Sequence, residues 1–193
     1  RGMSMLVIGI TGPSGCGKTT LLQAVQQRGG YIVDCDALYY ELLQTDPALK
    51  AALQKAFGDV FLPDGSLDRK SLAARVFSNR QARDTLNEIV FFHVGAAVEK
   101  LRAQAKKDGK PLFAIDAINL LESGMGNGCD VTVGILAPKP VRLARIMARD
   151  GIDADYALAR IEAQPDDEYY EMRCDYLLRK DGTPEELKAK CRE

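Results

Sequence analysis

Short, nearly continuous apolar runs alternate along the chain with longer stretches whose apolar residues recur every three or four positions. The runs at 5–11, 31–34, 111–116 and 131–136 have strand length and are bounded by glycine, proline or acidic residues. Their lack of alternation predicts strands buried on both faces, as in a parallel sheet covered by helices. A fifth strand is expected at 174–178. The period changes to that of a helix over 20–28, where Leu21, Leu22 and Val25 share a face, and Arg28-Gly29-Gly30 supplies the stop. Further helices are expected at 138–150, broken by Gly151, and at 154–164 behind an Asp153 N-cap. A closing helix is announced by Thr183-Pro184-Glu185-Glu186.

Between the second and third strands lies a block too long for an ordinary crossover. Pro47 opens a helix carrying Leu49, Leu53 and Phe57, and Gly58 ends it. Pro63-Asp64-Gly65-Ser66 is a turn. A long pattern then runs through Leu86, Ile89, Val90, Val94, Val98 and Leu101 to Asp108-Gly109. The expected organisation is an α/β core of five parallel strands over 3–36 and 109–193, with a helical insert over 37–108 and a lid at about 150–172 inside the core.

Composition narrows the chemistry. The 193 residues carry a net charge of −1, which argues against a nucleic-acid binder acting through bulk charge. The five cysteines, Cys16, Cys35, Cys129, Cys174 and Cys191, lack C-x-x-C spacing and read as reduced thiols. No apolar run is long enough to span a bilayer, and no leader-like segment precedes the first strand. The expectation is a cytoplasmic protein without membrane or nucleic-acid partners, monomeric or weakly oligomeric.

Gly12-Pro13-Ser14-Gly15-Cys16-Gly17-Lys18-Thr19 matches the G-x-x-x-x-G-K-[ST] phosphate-binding loop, and it lies between a predicted strand and a predicted helix. Glycines let successive N–H groups converge on an anion, and the helix N-terminus adds positive potential. Residues Gly12 to Thr19, with Thr20, are the candidate ATP-binding set. Lys18 can reach the outer phosphates and the Thr19 hydroxyl can ligate Mg²⁺. Asp116 closes the third strand, where an acid can hold the metal's waters. Asp34 and Asp36 stand two apart at the end of the second strand. If the extended conformation continues through Cys35, both carboxylates face one side, suited to metal waters and to proton removal from a hydroxyl. The alternative is a surface Asp34 and an Asp36 that caps a helix starting at Ala37. Arg145 and Arg149, at i and i+4, are candidates for neutralising charge on the transferring group as a helical lid closes. Arg142 and Arg160 are further cations on the same helical pair. His93, the sole histidine, is by itself more readily a packing residue than a catalyst.

Taken together the motifs resemble the dephospho-coenzyme A kinase family along nearly the whole chain. The resemblance rests on the P-loop, Val33-Asp34-Cys35-Asp36-Ala37-Leu38, Asp64-Gly65-Ser66-Leu67-Asp68-Arg69, His93, Asp116 with Leu120-Leu121-Glu122, Arg145 with Arg149-Asp150-Gly151-Ile152, Arg160-Ile161-Glu162-Ala163-Gln164 and Asp175. It implies a P-loop nucleotide-kinase-like fold with a helical coenzyme A-binding insert and a lid. It also implies transfer of the ATP γ-phosphoryl group, with Mg²⁺, to the 3′-hydroxyl of dephospho-coenzyme A, the last step of coenzyme A biosynthesis. Under that resemblance Asp36, Arg69 and His93 hold the acceptor, Asp36 is the candidate base, and Asp34 and Asp116 serve the metal with Thr19. The chain departs from the family pattern at His93-Val94 in place of His-Pro, at Ala117-Ile118-Asn119 before Leu120, in the glycine-rich 125–128 segment, and at Lys180 where the family carries Asn. The rival readings are a kinase for another nucleoside-like alcohol, a GTP switch and a non-catalytic relative. The chain lacks an N/T-K-x-D guanine-reading motif, and an intact Lys18, Thr19, Asp36 and Asp116 argue for catalysis.

Overall fold

The computed structural model describes residues 4–180. The chain runs β1 (Leu6–Thr11), α1 (Thr19–Gln27), β2 (Tyr31–Asp34), α2 (Cys35–Thr45), α3 (Pro47–Phe57), α4 (Arg69–Val76), α5 (Arg80–Lys107), β3 (Leu112–Asp116), β4 (Val131–Leu136), α6 (Lys139–Asp150), α7 (Ala154–Ala163), α8 (Asp167–Arg173) and β5 (Tyr176–Arg179). A 3-10 turn at Met125–Gly128 precedes β4. The closing helix expected at Thr183 and the thiol of Cys191 lie outside the described residues.

The strands form one five-stranded parallel sheet in the order β2-β3-β1-β4-β5, as the apolar runs predict. β1 pairs in parallel with β3 on one side and β4 on the other, and β4 pairs in parallel with β5. From β1 the chain leaves toward β2, whereas from β3 it crosses back toward β4. Neighbouring strands whose connections diverge leave a crevice at their carboxyl ends, the usual ligand site of open α/β sheets. Here that crevice lies between β1, which feeds the P-loop, and β3, which ends on Asp116. The register pairs Ile10 with Asp116 directly. Ile10, Ala114 and Ile135 are fully buried beneath Leu21 and Val25 of α1. Each buried isoleucine contributes about 1.5–3 kcal/mol, so the base of the P-loop is anchored by packing.

Two compact units partition the chain, one formed by the segments up to Val33 and from Gln104 onward, the other by Asp34–Ala103. The second is helical. Asp46 caps α3 by accepting from the Ala48 N–H, Pro47 takes the first helical position, and Leu49, Leu53 and Phe57 turn inward at i, i+4, i+8 spacing. They pack with Leu43, Val60 and Leu72 into a core of its own. The turn between Phe61 and Leu67 is held by Asp64, whose Oδ1 accepts from both the backbone N–H and the hydroxyl of Ser66.

Two expectations are corrected at the chain's end. At the end of the expected lid the chain forms a further helix, α8, that the sequence reading did not place, and β5 starts at Tyr176 instead of Cys174. Cys174 is the C-cap of α8, and Asp175 accepts from the Thr132 N–H at 2.8 Å while its own N–H donates to the Thr132 hydroxyl. Those bonds set where pairing with β4 begins. No helix among the described residues is long and apolar enough to cross a membrane.

Candidate active site

The P-loop takes its shape from glycines where a side chain has no room. Gly15 and Gly17 have φ of 79° and 87°, in the left-handed region that favours glycine. At Gly12 a Cβ would stand 2.4 Å from the Ile135 backbone oxygen and 2.9 Å from Cys16 Sγ. The obstructing oxygen belongs to β4, which is hydrogen-bonded on both sides and cannot yield. Gly12→Ala is therefore expected to lower stability by about 3 kcal/mol or more, read as a fall in the urea or thermal midpoint; an unchanged midpoint would contradict this account.

Lys18 occupies the N-cap of α1, and no side chain caps the helix. The helix's first N–H groups are thus left for an anion, which the macrodipole favours. Thr19 is the first residue of the helix and Thr20 follows it. The Cys16 side chain packs in the core, and that burial pushes its thiol up from its ordinary value. Among the described residues no disulfide joins Cys16, Cys35, Cys129 and Cys174.

Lys18 Nζ lies 2.9 Å from Asp116 Oδ1, with 19% and 13% of the two side chains exposed. The approach is an ion-pair contact whose angles make no hydrogen bond, and this buried oxygen has no hydrogen-bond partner among the described residues. The Lys18 ammonium offsets the charge of that oxygen, and its unmet hydrogen-bonding capacity could be met by a metal-bound water. Asp116 and Thr19 supply the hard oxygen donors that Mg²⁺ prefers, and Mg²⁺ commonly keeps most of its waters.

The arginines of α6 part company. Arg145 Nη1 donates to the Gly15 carbonyl at 2.9 Å and stands 2.7 Å from where a Gly17 Cβ would be. Arg149 instead forms a bidentate pair with Asp150, which also accepts from Arg160. Arg149 is 59% exposed, and the structure does not bring it to the loop. Arg142, 4% exposed, donates to the Ser14 carbonyl and to Gln164. Burial pushes its guanidinium down from the usual arginine value, although arginine stays charged in proteins. Lys180 packs beside Arg145 against Gly17, and burial, with Arg145 as a like charge, lowers its ammonium from the ordinary value. Arg142, Gln164 and Lys180 were missing from the site expected on sequence. The motif Arg-Ile-x-x-Gln around Gln164 was the available signal, whereas nothing distinguishes Arg142 from its neighbouring cations before packing is known.

The acids after β2 depart from the strand reading. Extended backbone ends at Asp34, which is itself the N-cap of α2: its Oδ1 accepts from the Asp36 and Ala37 N–H groups at 3.0 and 3.2 Å. Asp36 sits in the first turn of the helix, so the two carboxylates do not share one side of a strand. A cap can satisfy orphan N–H groups only if the chain turns there, and Asp34 takes the role that the alternative reading gave to Asp36. In the helical unit, Arg69 lies 4.5 Å over the Tyr40 ring, directly after the Asp68 cap of α4. His93 Nδ1 meets the Ile89 carbonyl at 2.8 Å. That tautomer donates through Nδ1 and leaves Nε2 as an acceptor.

Glu122, in the segment after β3, accepts from the Tyr169 hydroxyl at 2.7 Å. Burial first, and then Glu122, push the Tyr169 phenol up to about 12. It therefore remains a hydrogen-bond donor at neutral pH.

The chain is similar to known proteins over nearly its whole length. A family model described as Dephospho-CoA kinase matches residues 6–186. A dephospho-CoA kinase of Anaeromyxobacter dehalogenans is 36% identical over 187 residues, covering 96% of this chain and 89% of that protein. One from Mycolicibacterium paratuberculosis is 41% identical over 184 residues, covering 95% of this chain and 45% of its longer relative. Among solved structures, TT1252 from Thermus thermophilus superposes with a TM-score of 0.80 at 29% identity, covering 96% of this chain and 93% of that one. Dephospho-CoA kinase from Campylobacter jejuni shares the fold, with a TM-score of 0.59 at 23% identity over 96% of this chain and 93% of that one.

Proposed function

This chain belongs to the dephospho-CoA kinase family, and from that membership we propose how its own residues carry the reaction. It phosphorylates dephospho-CoA to CoA at the expense of ATP. The observation that carries the site reading is the pairing of Lys18 with Asp116 across the β1–β3 crevice, at the mouth of an uncapped helix.

The N–H groups between Gly15 and Thr19 hold the β-phosphate, that of Cys16 only if it leaves the Pro13 carbonyl it now meets, and Lys18 spans the β and γ oxygens, exchanging its contact with Asp116 for the phosphate. Thr19 and Asp116, with Asp34 as a further carboxylate, would hold Mg²⁺, which when bound offsets charge on the phosphates. The acceptor is the 3′-hydroxyl of the dephospho-CoA ribose. Its oxygen forms the new bond to the γ-phosphorus as the β–γ bridging bond breaks, and that electron pair leaves on ADP. The hydroxyl proton passes to Asp36. Arg145 offsets negative charge from the loop side, and Arg149 joins it if the lid releases the guanidinium from Asp150. Such chemistry is positioning and electrostatics, with little covalent work for the protein. Reduced thiols and the absence of a membrane-spanning helix among the described residues suit a cytoplasmic enzyme. ADP release, measured across dephospho-CoA, adenosine, other nucleosides and no acceptor, tests the reading. Release specific to dephospho-CoA supports it; preference for another alcohol would move the specificity to the altered segment from Ile118 to Gly128.

The helical unit 34–103 is assigned the acceptor, through Arg69 and His93. Arg69 is held over the Tyr40 ring, so its guanidinium is pre-ordered for a phosphate of the acceptor. Arg69→Ala is expected to weaken dephospho-CoA binding by about tenfold or more, the cost of one charge-assisted contact. ATP binding should stay the same. Calorimetry with each ligand separately decides it, and the reverse pattern would reject the assignment.

A further inference from the structure

We infer that Arg142 and Gln164 form a positioning pair that aims the phosphate cradle by gripping Ser14. The inference rests on the reading of the loop as the ATP phosphate site. Every polar group of Ser14 is engaged by the pair. Gln164 Oε1 accepts from the Ser14 N–H at 3.0 Å, and Gln164 Nε2 donates to the Ser14 hydroxyl at 3.1 Å. Arg142 Nε donates to the Ser14 carbonyl at 3.0 Å, and its Nη2 donates to Gln164 Oε1 at 3.1 Å. The four bonds close a ring that locks both the carboxamide orientation and the Ser14 peptide planes.

The consequence for the loop is directional. A peptide whose carbonyl is fixed by Arg142 must turn the following N–H, that of Gly15, the opposite way, because the two lie antiparallel across one planar amide. Arg145 repeats the arrangement one residue on, fixing the Gly15 carbonyl and with it the Cys16 N–H, which donates to the Pro13 carbonyl. The Ser14 N–H is spent on Gln164, so the cradle begins at Gly15. Arg142 is buried yet forms no ion pair among the described residues. Its hydrogen bonds go to a carbonyl and an amide, and the carboxylate whose charge reaches it is that of Asp167. Burying a cation with no carboxylate in direct contact is expensive, and a polyphosphate bound at the loop would lower that cost.

Gln164 is also the C-cap of α7. The grip therefore ties the end of the α6–α7 helical pair to the nucleotide site. The pair lines a cleft of about 490 Å³, so the near-isosteric Gln164→Leu change has room without overpacking.

The test is ADP binding by calorimetry for Gln164→Leu, Ser14→Ala and the double variant, alongside nucleotide-free unfolding midpoints. Gln164→Leu is expected to weaken ADP roughly tenfold to a hundredfold, since several bonds that pre-orient the cradle are lost together. The midpoint should move by only a few degrees, and the KM for dephospho-CoA should not change. Ser14→Ala, which removes a hydroxyl and cannot disturb the core, should weaken ADP by about threefold. The double variant should bind ADP as Gln164→Leu does, because both act through one residue. An ADP affinity within twofold of the parent for Gln164→Leu, or strictly additive losses, would overturn the inference. Should Gln164→Leu fail to fold, unchanged ADP binding by Ser14→Ala overturns it alone. A parent enzyme that binds ADP but ignores dephospho-CoA would refute the acceptor assignment and leave this series able to judge the positioning pair.

Discussion

Lys18→Ala is expected to cut turnover by at least about a hundredfold, equivalent to roughly 3 kcal/mol or more of lost transition-state stabilisation, in a protein that remains folded. The ammonium is the cation best placed to follow charge from the γ-phosphate to the leaving oxygen. Its removal also strips the partly buried Asp116 of its ion-pair partner, which should cost about 1–3 kcal/mol of stability. The two effects separate in a second variant. Adding Asp116→Asn removes the uncompensated charge and should restore much of the thermal midpoint while leaving turnover low. Steady-state turnover and unfolding are measured on both proteins. Near-normal turnover of Lys18→Ala would remove the P-loop from the mechanism.

Asp36→Asn is expected to reduce turnover by about 10²–10⁴, the range of a lost general base, with ATP affinity nearly unchanged. The substitution keeps side-chain size and one acceptor oxygen but loses the charge that receives the hydroxyl proton. Asp34→Asn should behave differently, because Asp34 caps α2 and asparagine caps as well as aspartate. The helix should survive, and any effect should appear as a higher magnesium requirement. Asp34→Ala, by contrast, loses the cap and about 1 kcal/mol. A magnesium titration of turnover for both asparagine variants, with ATP affinity measured separately, assigns the roles. Normal turnover of Asp36→Asn beside an impaired Asp34→Asn would reverse them. Full activity in both would make the pair a helix-start device only.

The elements most legible in the chain are those whose cause is local. β2 and β4 have the expected bounds, at Tyr31–Asp34 and Val131–Leu136, because an apolar run with turn residues at both ends states its own length. Asp153 caps α7 as its position before a periodic segment demands. α8, by contrast, has the sequence Asp-Glu-Tyr-Tyr-Glu-Met-Arg. It offers no apolar period, and its one deeply buried side chain, Tyr170, looks no different in sequence from the half-buried Tyr169 beside it. The Asp34 cap was missed for a related reason. A capping residue and the last residue of a strand share the same extended backbone, so only the hydrogen bonds of the next turn tell them apart.

The phosphate cradle, its lysine and its strand-to-helix setting belong to the sequence alone, since one glycine-rich octapeptide carries both the backbone freedom and the charge that the site needs. The family, too, is readable from the order of its short blocks. The placement of Asp116 against Lys18 required the strand order, because β3 inserts beside β1 only in the folded sheet. The sorting of Arg142, Arg145 and Arg149 into a buried grip, a loop contact and a surface pair required packing. One helix presents all three, and a guanidinium's role depends on whether a carbonyl, an amide or a carboxylate reaches it first. The carbonyls that Arg142 and Arg145 reach lie more than a hundred residues away along the chain, a separation over which local sequence preference has no force and tertiary contact decides.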